Sequence, residues 1–581
     1  MQLSPNHPSA LLFTALHLAV SCLGSVASPA VSASGSASVA ANYPSGTPFP
    51  GDYGGQYRPQ VHYSAPQHFM SDPNGIFRDN NGTWHLYYQY NPLGLGFGNQ
   101  HWGHATSKDL YHWTNQPIAL GPPSKSVALF SGSAVVDKNN TSGLFPGQDN
   151  GVVAIFTLAG KDPDGGYGGP QTQALAYSHD GGFTYQLYQH NPVINSTSTN
   201  FRDPRVMAYK DHWVMVIAYS RDYTVGIFTS RNLINWTHAS NFSLTGLLGA
   251  QWECPNLIHM PYYDQKGQKQ DNIWTLFVNI NPGGPLGGAV VQYYPGSFNG
   301  THFEPVDSAA RSIDSAKDFY AMQFFNNVGP GTDVESPVSI AWASNWQYTQ
   351  LVPTAQEGWR SSMSLPREHF MTKVKGAGWK LVSRPYNLDR MVSETLVVEK
   401  NLTKEVVAVE FSGVESKAIY WEIHLTGIPD REPRSLSLNV SFVSPSTAEN
   451  VRLGYVFGAV DFDLFGGDTP FFLDRGGAKG FDHTFFTQRF SVSSPHDNGT
   501  WSVSGVLDRS ILEVFIDGGI ETMTSTYYTK EPISVALFSL SPDLPKGMNV
   551  DLRVVGLHGV WDQVTDKDGI VYGNRTVKAL A

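Results

Sequence analysis

From about Tyr57 onward the chain consists of short aromatic and β-branched runs broken by Gly, Asn and Asp, and helical periodicity is scarce. His85-Leu86-Tyr87-Tyr88-Gln89-Tyr90, Val152-Val153-Ala154-Ile155-Phe156 and Trp213-Val214-Met215-Val216-Ile217 are three such runs. Each has the length and residue types of a strand packed on a pleated surface. With 57 Gly, 13% aromatic and only 15% charged residues, tight turns between sheets are well supplied. The chain is therefore expected to be all-β.

A weak repeat narrows the architecture. Ser107-Lys108-Asp109-Leu110-Tyr111-His112-Trp113 matches Ser230-Arg231-Asn232-Leu233-Ile234-Asn235-Trp236, with looser copies at Ser178-His179-Asp180-Gly181 and Ser297-Phe298-Asn299-Gly300-Thr301-His302-Phe303. Each fits a strand, a turn made by Asp or Asn, and an aromatic opening the next strand. The copies lie 71, 52 and 67 residues apart, the size of one four-stranded sheet with its loops. Five such units fill residues 57–385, as a five-bladed β-propeller would. Ordinary hairpin vocabulary in an all-β chain accounts for the repeat equally well. Beyond Val392 the composition shifts. Alternating strands such as Ala408-Val409-Glu410-Phe411 and Ile511-Leu512-Glu513-Val514-Phe515-Ile516 continue without the repeat, so residues 398–581 read as a β-sandwich.

A length of 581 residues calls for more than one domain. The formal net charge of −11 argues against nucleic acid or an anionic membrane surface as partner. An apolar stretch from Ala10 to Val20, followed by Ser25-Val26-Ala27-Ser28, reads as a signal peptide over residues 1–28. Residues 29–56, rich in Ser, Ala, Gly and Pro, read as a flexible leader. Eleven N-x-Ser/Thr acceptors (Asn81, Asn139, Asn140, Asn195, Asn235, Asn241, Asn299, Asn401, Asn439, Asn498 and Asn574) also point to a secreted, extracellular protein. Cys22 lies in the signal, leaving Cys254 without a disulfide partner, and no later stretch is apolar enough to span a bilayer.

Three acidic residues sit in motifs that restrict the backbone: Asp72 in Met70-Ser71-Asp72-Pro73-Asn74-Gly75, Asp203 in Phe201-Arg202-Asp203-Pro204, and Glu253 in Gln251-Trp252-Glu253-Cys254-Pro255. The following prolines are expected to hold Asp72 and Asp203 extended. One Asp-Pro pair alone is usually a turn. The spacings are 131 and 50 residues, about two repeats and one, which would bring the three carboxylates together at a propeller axis. Glycoside hydrolysis needs two carboxyl groups in opposed states, one ionised and one protonated, and no metal. His101-Trp102-Gly103-His104 has metal-like spacing but lacks further ligands nearby, so no metal or cofactor is expected.

Residues 57–375 resemble glycoside hydrolase family 32, most closely its fungal invertases and fructosyltransferases. The motifs Ser71-Asp72-Pro73-Asn74-Gly75, Tyr88-Gln89-Tyr90-Asn91-Pro92, Trp102-Gly103-His104-Ala105, Phe130-Ser131-Gly132-Ser133, Phe201-Arg202-Asp203-Pro204, Trp252-Glu253-Cys254-Pro255, Lys317-Asp318-Phe319-Tyr320-Ala321 and Ala343-Ser344-Asn345-Trp346 occur in the family's order. The resemblance implies a five-bladed β-propeller followed by a C-terminal β-sandwich. It implies Asp72 as nucleophile, Glu253 as acid/base and Asp203 as transition-state stabiliser. It implies substrate contacts by Phe69, Met70, Ser71, Asn74, Gln89, Trp102, Phe130, Ser131, Arg202, Tyr320 and Trp346, with Phe69 and Trp102 forming an aromatic wall. Sucrose and fructans are the implied substrates, and a homo-oligomer is compatible with the sequence.

Two positions depart from the family's commonest first motif: Phe69 replaces Trp and Ser71 replaces Asn. Within the family such changes accompany transfer of fructose to sugars, so transfructosylation at high sucrose is expected. Exo-inulinase, levanase or predominantly fructosyltransferase activity are the alternatives. An arabinan-cleaving propeller hydrolase and a non-catalytic sugar-binding protein fit the motifs less well.

Overall fold

The computed structural model describes residues 48–162, 164–402, 405–429, 436–457, 470–495, 499–541, 544–561, 564–565 and 571–572. The signal peptide expected over 1–28 and the leader as far as residue 47 lie outside the described residues.

The regular structure is almost entirely strand. Five sheets, each with four antiparallel strands at its heart, occupy His68 to Pro385. Their first strands are His68–Arg78, Val127–Val136, Phe201–Tyr209, Trp252–Met260 and Tyr320–Phe324. Each of these five touches the next, and the fifth touches the first, so the sheets close into a five-bladed propeller around an axis lined by the inner strands. The closure is also hydrogen-bonded, because Trp359–Arg360 pairs in parallel with His68 and Phe69 on the free edge of the first blade. The blades pack on apolar faces such as Val214, Val216, Leu276 and Val278 between the third and fourth.

Two six-stranded sheets follow and form the sandwich. Its first strand, Val392–Glu399, pairs as an edge with Asn549–Leu557 and begins a few residues before position 398. Alternate residues such as Trp421, Ile423, Val440, Phe442, Leu512 and Val514 meet in its core.

The end of the leader is docked rather than flexible. Tyr53 stacks on Trp561 with ring centroids 3.6 Å apart, and its hydroxyl accepts from Asn115 Nδ2 at 2.8 Å. Phe49 meets the edge of Tyr90 at 5.9 Å. Two aromatic rings in a Pro/Gly-rich stretch bury enough surface to fix it, which composition alone understates.

Propeller and sandwich are joined by buried charge. Asp508 of the sandwich accepts the backbone N–H groups of Gln60, Val61 and His62 at 2.8, 2.7 and 3.0 Å and the His62 ring at 2.9 Å. Glu513 lies 3.4 Å from the other His62 nitrogen and accepts from Arg367 Nη2 at 2.7 Å and from Leu365 N at 2.8 Å. Asp318 pairs with Arg475 at 2.6 Å, both wholly buried. Breaking such a pair strands a buried charge. Burial pulls the His62 imidazole down, but the hydrogen bonds and charges of Asp508 and Glu513 outweigh it and raise it to about 9. Its contribution is therefore complete below the ordinary histidine value and lost as pH rises through about 9. Asp508→Ala is expected to cost about 3–5 kcal/mol, measured by denaturant unfolding. Wild-type stability should also decline from pH 6.5 to 9 more steeply than that of His62→Gln.

Candidate active site

Each inner strand breaks its ladder near its start, the first strand a second time between Asn74 and Phe77, and the residues skipped at the first break carry the motifs. The breaks fall between Met70 and Pro73, Leu129 and Gly132, Glu253 and Asn256, and Tyr320 and Gln323, and in the third blade between Arg202 and Arg205. A bulge re-aims side chains that the pleat would send to alternate faces. Asp72, Ser131 and Asp203 are thereby turned toward one cavity. Three bulge residues stand at positive φ without being glycine: Asp203 (65°), Cys254 (44°) and Ala321 (50°). Asp203 is thus not extended as its following proline suggests, because the bulge overrides that preference.

Buried amides and hydroxyls take up the backbone groups the bulges release. Gln323 Nε2 donates to Gly132 O at 2.9 Å, Asn256 Nδ2 to Cys254 O at 3.1 Å and Met322 O at 2.9 Å, and Asn279 Nδ2 to Cys254 O at 2.8 Å. Asp203 N donates to Thr157 Oγ1 at 3.1 Å and Val206 N to Ser133 Oγ at 2.8 Å. These bonds make an otherwise costly backbone affordable.

The cavity has a volume of about 260 Å³. It is lined by Ser71, Asp72, Gln89, Phe130, Ser131, Arg202, Asp203, Glu253 and Trp346, all expected from the sequence. Ser131 Oγ donates to Asp72 Oδ2 at 2.9 Å, while Asp72 Oδ1 has no partner in the protein. Arg202 donates to Glu253 Oε1 through Nε at 3.1 Å and Nη2 at 2.9 Å, and the Tyr320 hydroxyl donates to Glu253 Oε2. Tyr320 therefore acts from behind the lining. Cys254 N donates to Asp203 Oδ2 at 3.0 Å, and its sulfur lies 3.6 Å from Asp203 Oδ2 and 3.9 Å from Asp72 Oδ2.

Burial, then the charges of Asp203 and Glu253, push Asp72 up to about 7. Burial also raises Asp203, with Arg202 opposing it. Burial and the surrounding carboxylates raise the Cys254 thiol well above its ordinary range, so it stays protonated and is no nucleophile. Three carboxyl groups against one guanidinium favour positive charge developing on a bound molecule.

Phe69, Met70, Asn74 and Trp102, expected as substrate contacts, are wholly buried and do not line the cavity. Phe69 backs Trp346 at 5.9 Å, Met70 Sδ accepts from Ala65 N at 3.0 Å, and Trp102 donates to Phe130 O at 3.3 Å. The exposed wall consists instead of Phe97, Phe130 and Trp346. Phe97 meets Trp346 at 5.3 Å, and Tyr167 touches both Phe97 and Phe130. Phe97, Gln100, Asn281 and Gln350 line the cavity without having been singled out in the sequence. They lie on turns between strands, and Gln350 Oε1 accepts from Phe97 N at 3.2 Å to pin that turn. Gln251 and Gln171 hold Arg202 at 2.8 and 3.3 Å. His101 and His104 do not share a site: His101 Nδ1 bonds Asn99 O at 2.6 Å, and His104 Nε2 faces His85 Nδ1 at 3.1 Å.

Residues 62–385 match the glycosyl hydrolases family 32 N-terminal domain, and residues 393–544 match the family 32 C-terminal domain. The extracellular exo-inulinase of Meyerozyma guilliermondii is 39% identical over 495 residues, spanning 81% of this chain and 90% of the relative. Invertase 2 of Saccharomyces cerevisiae is 38% identical over 521 residues, spanning 81% and 89%. Among solved structures, the fructofuranosidase of Schwanniomyces occidentalis complexed with fructose superposes with a TM-score of 0.76 at 33% identity, covering 87% of this chain and 99% of that one. With models matching both halves and relatives of this identity and coverage, the chain belongs to glycosyl hydrolase family 32 and is a glycoside hydrolase.

Proposed function

We propose that the protein is a secreted retaining β-fructofuranosidase that removes terminal fructose from sucrose and fructans. The reading rests on one observation above all: carboxylates from three different blades face one sugar-sized cavity, and both oxygens of Glu253 are held by Arg202 and Tyr320. Invertase and exo-inulinase relatives stand at 38% and 39% identity, so both substrate classes are carried forward. Export is supported by the extracellular relative and by the exposure of the acceptor asparagines Asn81, Asn139, Asn195, Asn235, Asn241, Asn299 and Asn401.

In this mechanism Asp72 Oδ1, free of protein partners, attacks the anomeric carbon of fructose. Glu253 gives its proton to the glycosidic oxygen as that bond breaks, leaving a fructosyl ester on Asp72. Water then enters, Glu253 takes its proton, and the oxygen displaces Asp72 from the same carbon. Two inversions return the β-anomer. Asp203, clamped by Cys254 N, presents an acceptor to fructose hydroxyls, while Gln89 adds an amide with no protein partner. Ser71 lines the cavity beside the nucleophile and leaves room for a sugar acceptor, so part of the fructose passes to sugars.

Replacing Asp72 by Asn is expected to lower kcat by roughly 10⁴-fold, assayed as glucose released from sucrose, and wild-type activity in that variant would remove it as nucleophile. Ionised Asp72 opposes folding, since its folded value stands above its ordinary one. The same variant should therefore melt higher than wild type by an amount that grows from pH 4 to 7 and then levels off. Equal midpoints at pH 8 in calorimetry would contradict this. Proton NMR early in turnover should show β-fructose before mutarotation. In concentrated sucrose, free glucose should exceed free fructose as oligosaccharides accumulate, and Ser71→Asn should reduce the excess. Equimolar release without oligosaccharides would exclude transfer.

A further inference from the structure

Five arginines are buried among the described residues. Arg202, Arg367 and Arg475 pair with Glu253, Glu513 and Asp318. Arg58 bonds two carbonyls and lies against the rings of Tyr53 and Trp359 at 4.4 and 4.7 Å. Arg205 has neither kind of support. It is 3% exposed, its Nη2 donates to Phe324 O at 2.8 Å, and its buried Nε and Nη1 have no partner. Burial alone acts on its guanidinium, lowering it to about 9, so it still carries its charge at neutral pH. One neutral carbonyl does not offset the desolvation of a buried cation.

Arg205 lines a cleft of about 540 Å³ that is separate from the sugar cavity. Its walls come from later parts of the inner strands, Met207–Lys210 and Leu257–His259, and from the turn that follows the fifth inner strand. The sugar cavity takes residues 202, 203 and 253 near the starts of the same strands. The two openings thus lie at opposite ends of the propeller axis. Lys210 and His259 also line the cleft, and among the described residues no Asp or Glu does, in a chain of net charge −11. Such a cleft favours an anion.

The geometry points to a binding site for a small oxyanion (phosphate, sulfate or a carboxylate) held by Arg205 within this cleft. The guanidinium fork suits an oxyanion's several acceptors, whereas a halide offers one point. The site is independent of the sugar chemistry.

The test is equilibrium dialysis of the full chain against radiolabelled inorganic phosphate at pH 7 and constant ionic strength. The expected result is saturable binding of one phosphate per chain. Arg205→Met should weaken it by about tenfold or more, exposed Lys210→Ala by a smaller factor, and Asp72→Asn not at all. Phosphate should also raise the melting midpoint of wild type more than that of Lys210→Ala, a comparison that holds even if Arg205→Met does not fold. Absence of saturable binding, equal affinity in wild type and Lys210→Ala, or displacement of phosphate by fructose would overturn the proposal. Binding of chloride without phosphate would overturn the oxyanion assignment.

Discussion

The bulge in each inner strand is the constraint on which the site depends. A regular strand sends neighbouring side chains to opposite faces, and five regular strands around an axis would fill it with alternate residues only. The bulges turn Asp72, Ser131 and Asp203 inward at one level, and left-handed backbone at Asp203, Cys254 and Ala321 accompanies that turn. Each such residue costs on the order of 1–3 kcal/mol. Amides on Asn256, Asn279 and Gln323 offset the cost by binding the displaced carbonyls and N–H groups. The polar middle of the propeller is therefore scaffolding for the carboxylates above it.

Charge is distributed to match. Acidic groups accumulate at the sugar cavity, where burial raises Asp72 and Asp203 and the fold bears the expense of keeping them ready. At the junction the charges are paired across the two halves, as with Arg367 and Glu513. Among the described residues, none from the sandwich lines the sugar cavity. The sandwich contributes through this clasp, which steadies the fifth blade and the segment entering the first.

Much of this was legible in the sequence. The β character, the blade-sized repeat and the motifs around Asp72, Asp203 and Glu253 led to the propeller and to the residues that meet in the cavity. What was hidden has physical reasons. A motif names a stretch without saying which face each member takes, so Met70, Asn74 and Trp102 were expected at the cavity although they are wholly buried away from it. Phe97, Gln100, Asn281 and Gln350 sit on turns, where no periodicity marks a side chain as inward. The docked leader escaped because Phe49 and Tyr53 are two rings in a stretch otherwise typical of linkers.

Asp508 grips Gln60 across a separation of 448 residues. A chain emerging from the ribosome makes its first inner strand long before that carboxylate exists. Until then His62 and the N–H groups beside it have no counterpart, and the earliest blade waits with one margin unfinished. Such distant pairing makes for slow maturation and prolonged exposure of sticky surface. The segment around Gln60 and the strand that ends at Asp508 can be completed only together.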